Sequence, residues 1–299
     1  MVWGSFLSPI DNFSDLPFRL LCQRYGAEAV CYPLANSTAI FRDPRKAKEL
    51  DLSPAERNAG VQLVGNAPED LGKAAAAIDR EFPFVSWYNL NCGCPSVRTM
   101  HCGGGSAMLA SPVKIAECVR GMKESVDKPL SVKIRIASDL QNTLSLCRLI
   151  EEAGADFIII HGRTAAQGYS GKADWELIKK LRQGLGIPVV GNGDIDSLVQ
   201  AKRYVESGFC DSFMVARAAM GNPLIFSGTS PKSLEERLAL LGEYVSLHRE
   251  HLGEPELKDV RLKAVSFLSS VPQASALRNM ACRAGSADEI LGLRTRETE

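Results

Sequence analysis

Two hydrophobic periods exchange regularly along this chain, and few folds can satisfy both. Short runs rich in β-branched and aromatic residues, at 5–8, 29–32, 61–64, 87–91, 130–134, 157–160, 188–190 and 212–215, predict strands. Most are followed by longer stretches with apolar residues at helical spacing, such as 68–80, 113–125, 141–153 and 198–207. Strand, helix and strand in that order imply parallel strands joined by helical crossovers. Eight strands within about 220 residues match a (β/α)8 TIM barrel. The competing doubly wound sheet carries a Gly-x-Gly-x-x-Gly turn after its first strand, and none stands there.

After Phe226 the strand signal stops. A turn-rich linker, Gly228-Thr229-Ser230-Pro231, leads into helical patterns at 233–252, 257–269, 273–282 and 288–291. The expected organisation is a catalytic barrel over residues 1–228 and a small helical domain over 229–299. The tail carries ten basic and eleven acidic residues, so no strong basic patch is visible in it. The whole chain balances 35 Lys and Arg against 35 Asp and Glu, which argues against a protein held on DNA by bulk charge. RNA bound through local patches stays open. Nine cysteines, odd in number and scattered in spacing, favour reduced thiols in a cytoplasm over a disulfide framework. No apolar run reaches membrane-spanning length, and no basic segment precedes the first apolar run. The expectation is a soluble cytoplasmic protein without a membrane partner.

In a barrel, chemistry gathers at the C-terminal ends of the strands. The first predicted strand ends at Pro9-Ile10-Asp11, the third carries Gln62, and the fourth runs into Asn91-Cys92-Gly93-Cys94-Pro95. Lys133 and Arg135 lie two apart on the fifth and therefore share a face. The sixth ends at His161-Gly162-Arg163, the seventh at Gly191-Asn192-Gly193-Asp194 and the eighth at Ala216-Arg217-Ala218. The last two positions are where barrels often hold a phosphate: small residues admit it to backbone N–H groups, a following helix adds its dipole, and Arg217 supplies charge. Lys133 and His161, inward on adjacent strands, suit an anionic or reduced ring system.

The segment 91–106 holds Cys92, Cys94, His101 and Cys102 among glycines. A zinc site is disfavoured, because Cys-x-Cys followed by adjacent His-Cys crowds a tetrahedron. A catalytic thiol on a flexible, Gly-hinged loop is the stronger reading, with inert loop cysteines as the alternative; chemistry alone leaves the choice among Cys92, Cys94 and Cys102 open, although Cys94 stands before a proline that fixes the backbone. Arg42, Arg45, Lys46 and Lys48 form a basic cluster in the expected loop after strand two, either simply solvated or touching phosphates.

Taken together, these motifs resemble the dihydrouridine synthases, flavoenzymes that reduce uridine in tRNA. Residues 8–19, with Ser14-Asp15-Leu16-Pro17-Phe18-Arg19, are similar to the family's opening; Asn91-Cys92-Gly93-Cys94-Pro95 and Gly103-Gly104-Gly105-Ser106 to its active-site loop. His161-Gly162-Arg163-Thr164 with Gln167, Tyr169 and Ala173-Asp174-Trp175, then 187–195, then Met220-Gly221-Asn222-Pro223, complete the likeness. The resemblance implies FMN as cofactor, its ring held by the backbone at Pro9, Ile10 and Asp11 and by Gln62, Lys133 and His161. It places the phosphate on Asn192, Gly193, Asp194, Ala216 and Arg217, the substrate against Arg163, and the uracil, or else the flavin, against Asn91 and Arg135. It further implies that NADPH or NADH reduces the flavin, that hydride passes to C6 of the uracil, and that Cys94 protonates C5. A free thiol of ordinary acidity is mostly protonated at neutral pH and can act as such an acid. The partner is tRNA, with the uridine extruded to reach the pocket, and the family expectation is a monomer.

Departures are few. Ile10 replaces Met, Ala216-Arg217-Ala218 replaces Gly-Arg-Gly or Gly-Arg-Ala, and Arg261-Leu262-Lys263-Ala264 stands where many members have Arg-Lys-His. The alternatives are an FMN-dependent reductase or dehydrogenase of a free pyrimidine and a catalytically silent tRNA-binding protein.

Overall fold

The computed structural model describes residues 3–101 and 103–294. Cys102, singled out above, and the tail residues from 295 onward lie outside the described residues. The strands are β1 (Ser5–Leu7), β2 (Val30–Asn36), β3 (Ala59–Val64), β4 (Trp87–Cys92), β5 (Leu130–Arg135), β6 (Phe157–His161), β7 (Val189–Asn192) and β8 (Ser212–Val215). All pair in parallel in sequence order from β2 to β8, and β8 returns to β1. The remaining gap closes through Leu7 N–H to Ala29 O (2.9 Å) and Ala29 N–H to Ser5 O (3.0 Å), giving the expected (β/α)8 barrel.

Around and above it run α1 (Leu16–Arg24), α2 (Ser37–Arg42), α3 (Pro68–Glu81), α4 (Val97–His101), α5 (Pro112–Lys123), α6 (Leu140–Glu152), α7 (Trp175–Gln183), α8 (Leu198–Glu206) and α9 (Arg217–Gly221). Asp15, Asn36, Asp139, Asp174 and Ser197 each cap the helix that follows by accepting a backbone N–H, which explains why these helices start where they do.

Strand alternation sorts the core into two layers. Ile158 and Ile160 of β6 point outward into the apolar layer beneath the helices, while Phe157 and Ile159 point into the lumen. There they join Phe6, Cys31, Trp87, Val190 and Met214, with Phe6 and Trp87 meeting edge to face at 5.6 Å. Gly60 makes room for the indole: a Cβ there would stand 2.2 Å from Trp87 Cε2. This plug seals the lower barrel, so the inward residues one step up, Gln62, Asn91, Lys133, His161 and Asn192, floor an open mouth.

Two expectations need correction. The basic cluster after strand two is not an open loop. Asn36 starts α2, and Asp43 then caps a 3-10 helix, Pro44–Glu49. Each piece is too short to show a hydrophobic period. Within the cluster Arg45 pairs with Asp43 at 2.8 Å and Lys48 with Glu81 at 3.8 Å, both on the surface. The segment after β4 folds into α4 and a 3-10 helix, Gly105–Ala110. Strand β2 also runs further than expected. It absorbs Pro33 through a register shift between Tyr32 and Ala35, with Leu34 at φ +50°.

The helical tail comprises α10 (Leu234–Leu252), α11 (Leu257–Phe267), α12 (Ala274–Arg283) and α13 (Ala287–Leu291). Ser233 caps α10 through Glu236 N–H, and the Glu236 carboxylate reaches back to Lys232 N–H at 2.6 Å. The tail lies against α1. Tyr25 Oη donates to Glu243 at 2.6 Å, Arg24 pairs with the same carboxylate at 2.8 Å, and Tyr244 Oη donates to Asp15 at 2.9 Å. Of the stretch Arg261-Leu262-Lys263-Ala264 only Leu262 is exposed: Lys263 is fully buried, and Arg261 Nη2 donates to Ala284 O at 2.6 Å. These two cations therefore serve the interior of the tail and its seam with the barrel.

Candidate active site

The strand ends enclose a cavity of about 850 Å³, at the upper end of the range for small-molecule sites. Pro9, Ile10, Asp11, Gln62, Asn91, Cys94, Lys133, Arg135, His161, Asn192, Gly193, Asp194, Ala216 and Arg217 all line it. Of the residues expected at the site, Arg163 alone is absent from the lining. Its guanidinium is buried beneath the rim and donates to Ser170 O (3.1 Å), Gly171 O (2.7 Å) and Asp194 (2.6 Å). Arg163 therefore shapes the loop after β6.

One wall is a chain of buried amides across three strands. Register sets Gln62, Asn89 and Ser131 side by side on β3, β4 and β5. Ser131 Oγ donates to Tyr88 O (3.2 Å) and so accepts from Asn89 Nδ2 (2.7 Å); Asn89 Oδ1 then accepts from Gln62 Nε2 (2.7 Å). Gln62 Oε1 accepts from Asn91 Nδ2 (2.7 Å), and Asn91 Oδ1 accepts from the N–H groups of Gly93 (3.1 Å) and Cys94 (3.0 Å). Both ends of the chain are fixed by groups with a single possible role, so every amide orientation between them is determined. Gln62 thus faces the cavity with one spare N–H, and the backbone at Cys94 is held.

Cys94 is half-buried, and among the described cysteines it alone lines the cavity. Cys92, one position before the bend, points into the apolar layer, where burial pushes its thiol well up. The Thr99 hydroxyl donates to Cys94 Sγ at 3.7 Å. Sequence reading missed Thr99, because only the fold of α4 brings it back over Cys94. Gly105 has φ +61°, and a Cβ there would lie 2.5 Å from Cys94 O, which Ser106 N–H occupies at 2.9 Å. Arg135 joins this bend to the loop after β6, donating to Gly93 O (3.0 Å), Thr164 O (3.0 Å) and Gly168 O (2.8 Å).

Beside it stand the cationic and phosphate-like features. Lys133 Nζ donates to Asn192 Oδ1 at 3.0 Å. Burial, and then Arg135, push its pKa down to about 8. His161 is held down to about 2 by burial and by the surrounding cations, Lys133 first, so the ring is neutral at pH 7. Arg163 Nη1 faces His161 Nε2 at 3.4 Å; a guanidinium only donates, so that nitrogen accepts and the ring proton sits on Nδ1. The backbone N–H groups of Gly193, Asp194 and Ala216 find no acceptor among the described residues. Asp194, at φ +52°, is partly buried; the Ala173 N–H (2.8 Å) and Arg163 outweigh that and keep its pKa low, with Arg217 (3.1 Å) adding to them. Its negative charge is thereby offset, and its backbone N–H has no acceptor among the described residues. The helix after β8, α9, has only five residues, so the free N–H groups matter more here than a helix dipole.

This donor set fits a flavin and its phosphate: orphaned backbone N–H groups and Arg217 for the phosphate, the Lys133 ammonium and the spare Gln62 amide N–H for the ring, and the Cys94 thiol lining the same cavity. Among the described residues no group of three or more His, Cys, Asp or Glu is arranged to hold a metal ion. Nor is any described helix long and apolar enough to cross a membrane.

Residues 6–289 match the family model described as dihydrouridine synthase. The chain is similar to the probable tRNA-dihydrouridine synthase of Aquifex aeolicus, at 29% identity covering 95% of this chain and 93% of that protein. Identity is 31% to the probable tRNA-dihydrouridine synthase 1 of Synechocystis sp., covering 94% and 82% of the two. It is 32% to tRNA-dihydrouridine synthase B of Pseudomonas aeruginosa, covering 84% and 77%. Among solved structures, histamine dehydrogenase from Rhizobium sp. 4-9 superposes with a TM-score of 0.57 at 13% identity, over 82% of this chain and 49% of that one. The 6-hydroxypseudooxynicotine amine oxidase of Pseudomonas geniculata N1 gives 0.58 at 12% identity, over 81% and 50%. The chain spans about half the length of these two proteins, and the likeness is one of fold.

Proposed function

The chain belongs to the dihydrouridine synthase family, and from that premise we propose that it reduces the C5–C6 double bond of a uridine in tRNA, with FMN in the cavity and NADPH or NADH as reductant. The observation that carries this reading is the pairing, in one cavity, of the one lining thiol among the described residues with a phosphate-type cradle and a partly buried lysine. The flavin, when bound, supplies the hydride; the chain's own residues do the rest. Gly193, Asp194 and Ala216 offer backbone N–H groups to the phosphate, with Arg217 adding charge. Lys133 and the spare N–H of Gln62 face the ring, and Lys133 favours electron-rich forms of it. Neutral His161 hydrogen-bonds without adding charge. Cys94 Sγ delivers a proton to C5, and the resulting thiolate takes one back from solvent before the next turnover. Asn91 and Arg135 hold the Cys94 bend and extend toward the uracil. The tail over 229–299 is the unit proposed to hold the RNA beside the barrel of 1–228.

The test is mass spectrometry of nucleosides from tRNA lacking dihydrouridine, incubated with the purified protein, FMN and NADPH. New dihydrouridine is expected. A protein that binds and reduces flavin yet leaves tRNA unchanged, while reducing a free pyrimidine, would overturn the substrate assignment.

A further inference from the structure

Lys263 is the residue in the tail whose placement that function leaves unexplained. It comes from α11, yet its side chain is 1% exposed and its ammonium enters the barrel's first βα loop. There it pairs with Asp15 at 2.8 Å and donates to Phe13 O. The rings of Phe13 and Tyr244 lie 4.2 Å and 5.1 Å from Nζ, and Tyr244 Oη donates to the same Asp15 oxygen at 2.9 Å. A buried ion pair is weak evidence for stability, since apolar residues of similar size often fill such a space at lower cost. An ammonium kept here therefore calls for a positional explanation.

The loop it grips supplies one. Residues 8–15 leave β1 past Pro9, Ile10 and Asp11, which line the cavity, and turn back through Asn12 at φ +58°. Phe13 N–H and Ser14 N–H both donate to Ile10 O at 2.9 Å, and Ile10 N–H donates to Ser14 Oγ at 2.8 Å. The outgoing leg is thus bonded to the return leg, and Lys263 holds the return leg at Phe13 and Asp15. Arg19 reinforces it from α1, donating to Ser14 O at 2.8 Å. A continuous set of hydrogen bonds connects α11 of the tail to the backbone facing the ring site.

We propose that Lys263 is a positioning residue for the flavin site, setting the loop of Pro9, Ile10 and Asp11 from the tail. The proposal rests on FMN occupying the cavity. Its consequence is that the tail contributes to cofactor affinity without touching the cofactor.

The test titrates apo-protein with FMN by fluorescence quenching and records melting temperatures alongside. Lys263→Met is expected to raise the FMN dissociation constant about tenfold. Asp15→Asn keeps the α1 cap, and in the double variant no carboxylate is left unpaired, so part of the affinity should return. Glu243→Ala cuts the same seam away from the loop, at Tyr25 and Arg24, and is expected to lower the melting temperature while FMN affinity stays within twofold. Should Lys263→Met not fold, hydrogen exchange on the wild type decides: FMN should slow exchange in residues 10–15 and in α11 together. Unchanged FMN affinity in a folded Lys263→Met, or protection confined to the barrel, overturns the proposal. A wild type that binds no FMN overturns the cofactor reading, and this inference with it.

Discussion

Raising the pH through the pKa of Lys133 should weaken FMN binding, by an amount the cavity itself sets. Without the cofactor, burial and Arg135 hold this ammonium at about 8, with Cys94 and Cys31 facing it from the bend after β4 and from β2. A carbonyl or ring-nitrogen lone pair of the bound flavin that accepts a hydrogen bond from the ammonium favours the charged form, so the pKa rises on binding. The sign follows. Below pH 8 the lysine is protonated in both states and affinity is level. Above pH 8 binding must take up a proton, so affinity falls as pH rises. A full return to the 10.5 of a free lysine spans 2.5 pH units, about 3.4 kcal/mol at 1.36 kcal/mol each. Between pH 7 and 9 that is a fall of roughly tenfold in the association constant. Fluorescence titration of apo-protein at constant ionic strength measures it, and two variants assign it. Lys133→Met should bind more weakly at pH 7 and show no fall to pH 9; Lys133→Arg should keep its charge and also stay level. A wild type whose affinity is flat from pH 7 to 9, or a Lys133→Met that keeps the slope, would mean that Lys133 takes up no proton when FMN binds.

Other substitutions test other parts of the site. Cys94→Ala should leave FMN bound while turnover drops roughly 10²–10⁴-fold, the usual worth of a positioned acid; Cys92→Ala should stay active, and the reverse pattern would move the proton donor. Asn89→Leu leaves the Gln62 amide N–H without its partner and should cost about 1–3 kcal/mol of stability. It should also weaken FMN binding, because Gln62 is then free to turn; unfolding and titration curves matching the wild type would remove the amide chain from the account. Gly60→Ala drives a methyl into the Trp87 ring and should destabilise by about 1–3 kcal/mol. A melting curve unchanged from wild type would show that the lumen has slack there.

What was legible in the sequence follows from period, and what was not follows from register. Lys133 and Arg135 share a face because strands alternate, and small residues after the seventh and eighth strands point to a phosphate wherever the barrel closes. No period says that Gln62, Asn89 and Ser131 fall in one row, since parallel register is set by how three crossover helices pack. Asn89 and Ser131 therefore read as ordinary strand polars. Charge misleads in a related way. Arg163 and Lys263 look like ligand-binding cations in a motif or an exposed tail, yet one is buried holding a loop and the other is buried tying the tail to the barrel. A cation's sequence neighbours do not tell whether its partner is a ligand or a carbonyl made available by the fold. At this site the two kinds differ in what remains free: Arg217 and Lys133 line the cavity, whereas Arg163 is absent from its lining. Substitution should separate them accordingly, the cavity-lining pair acting on cofactor affinity directly and the buried pair acting through the loops they hold.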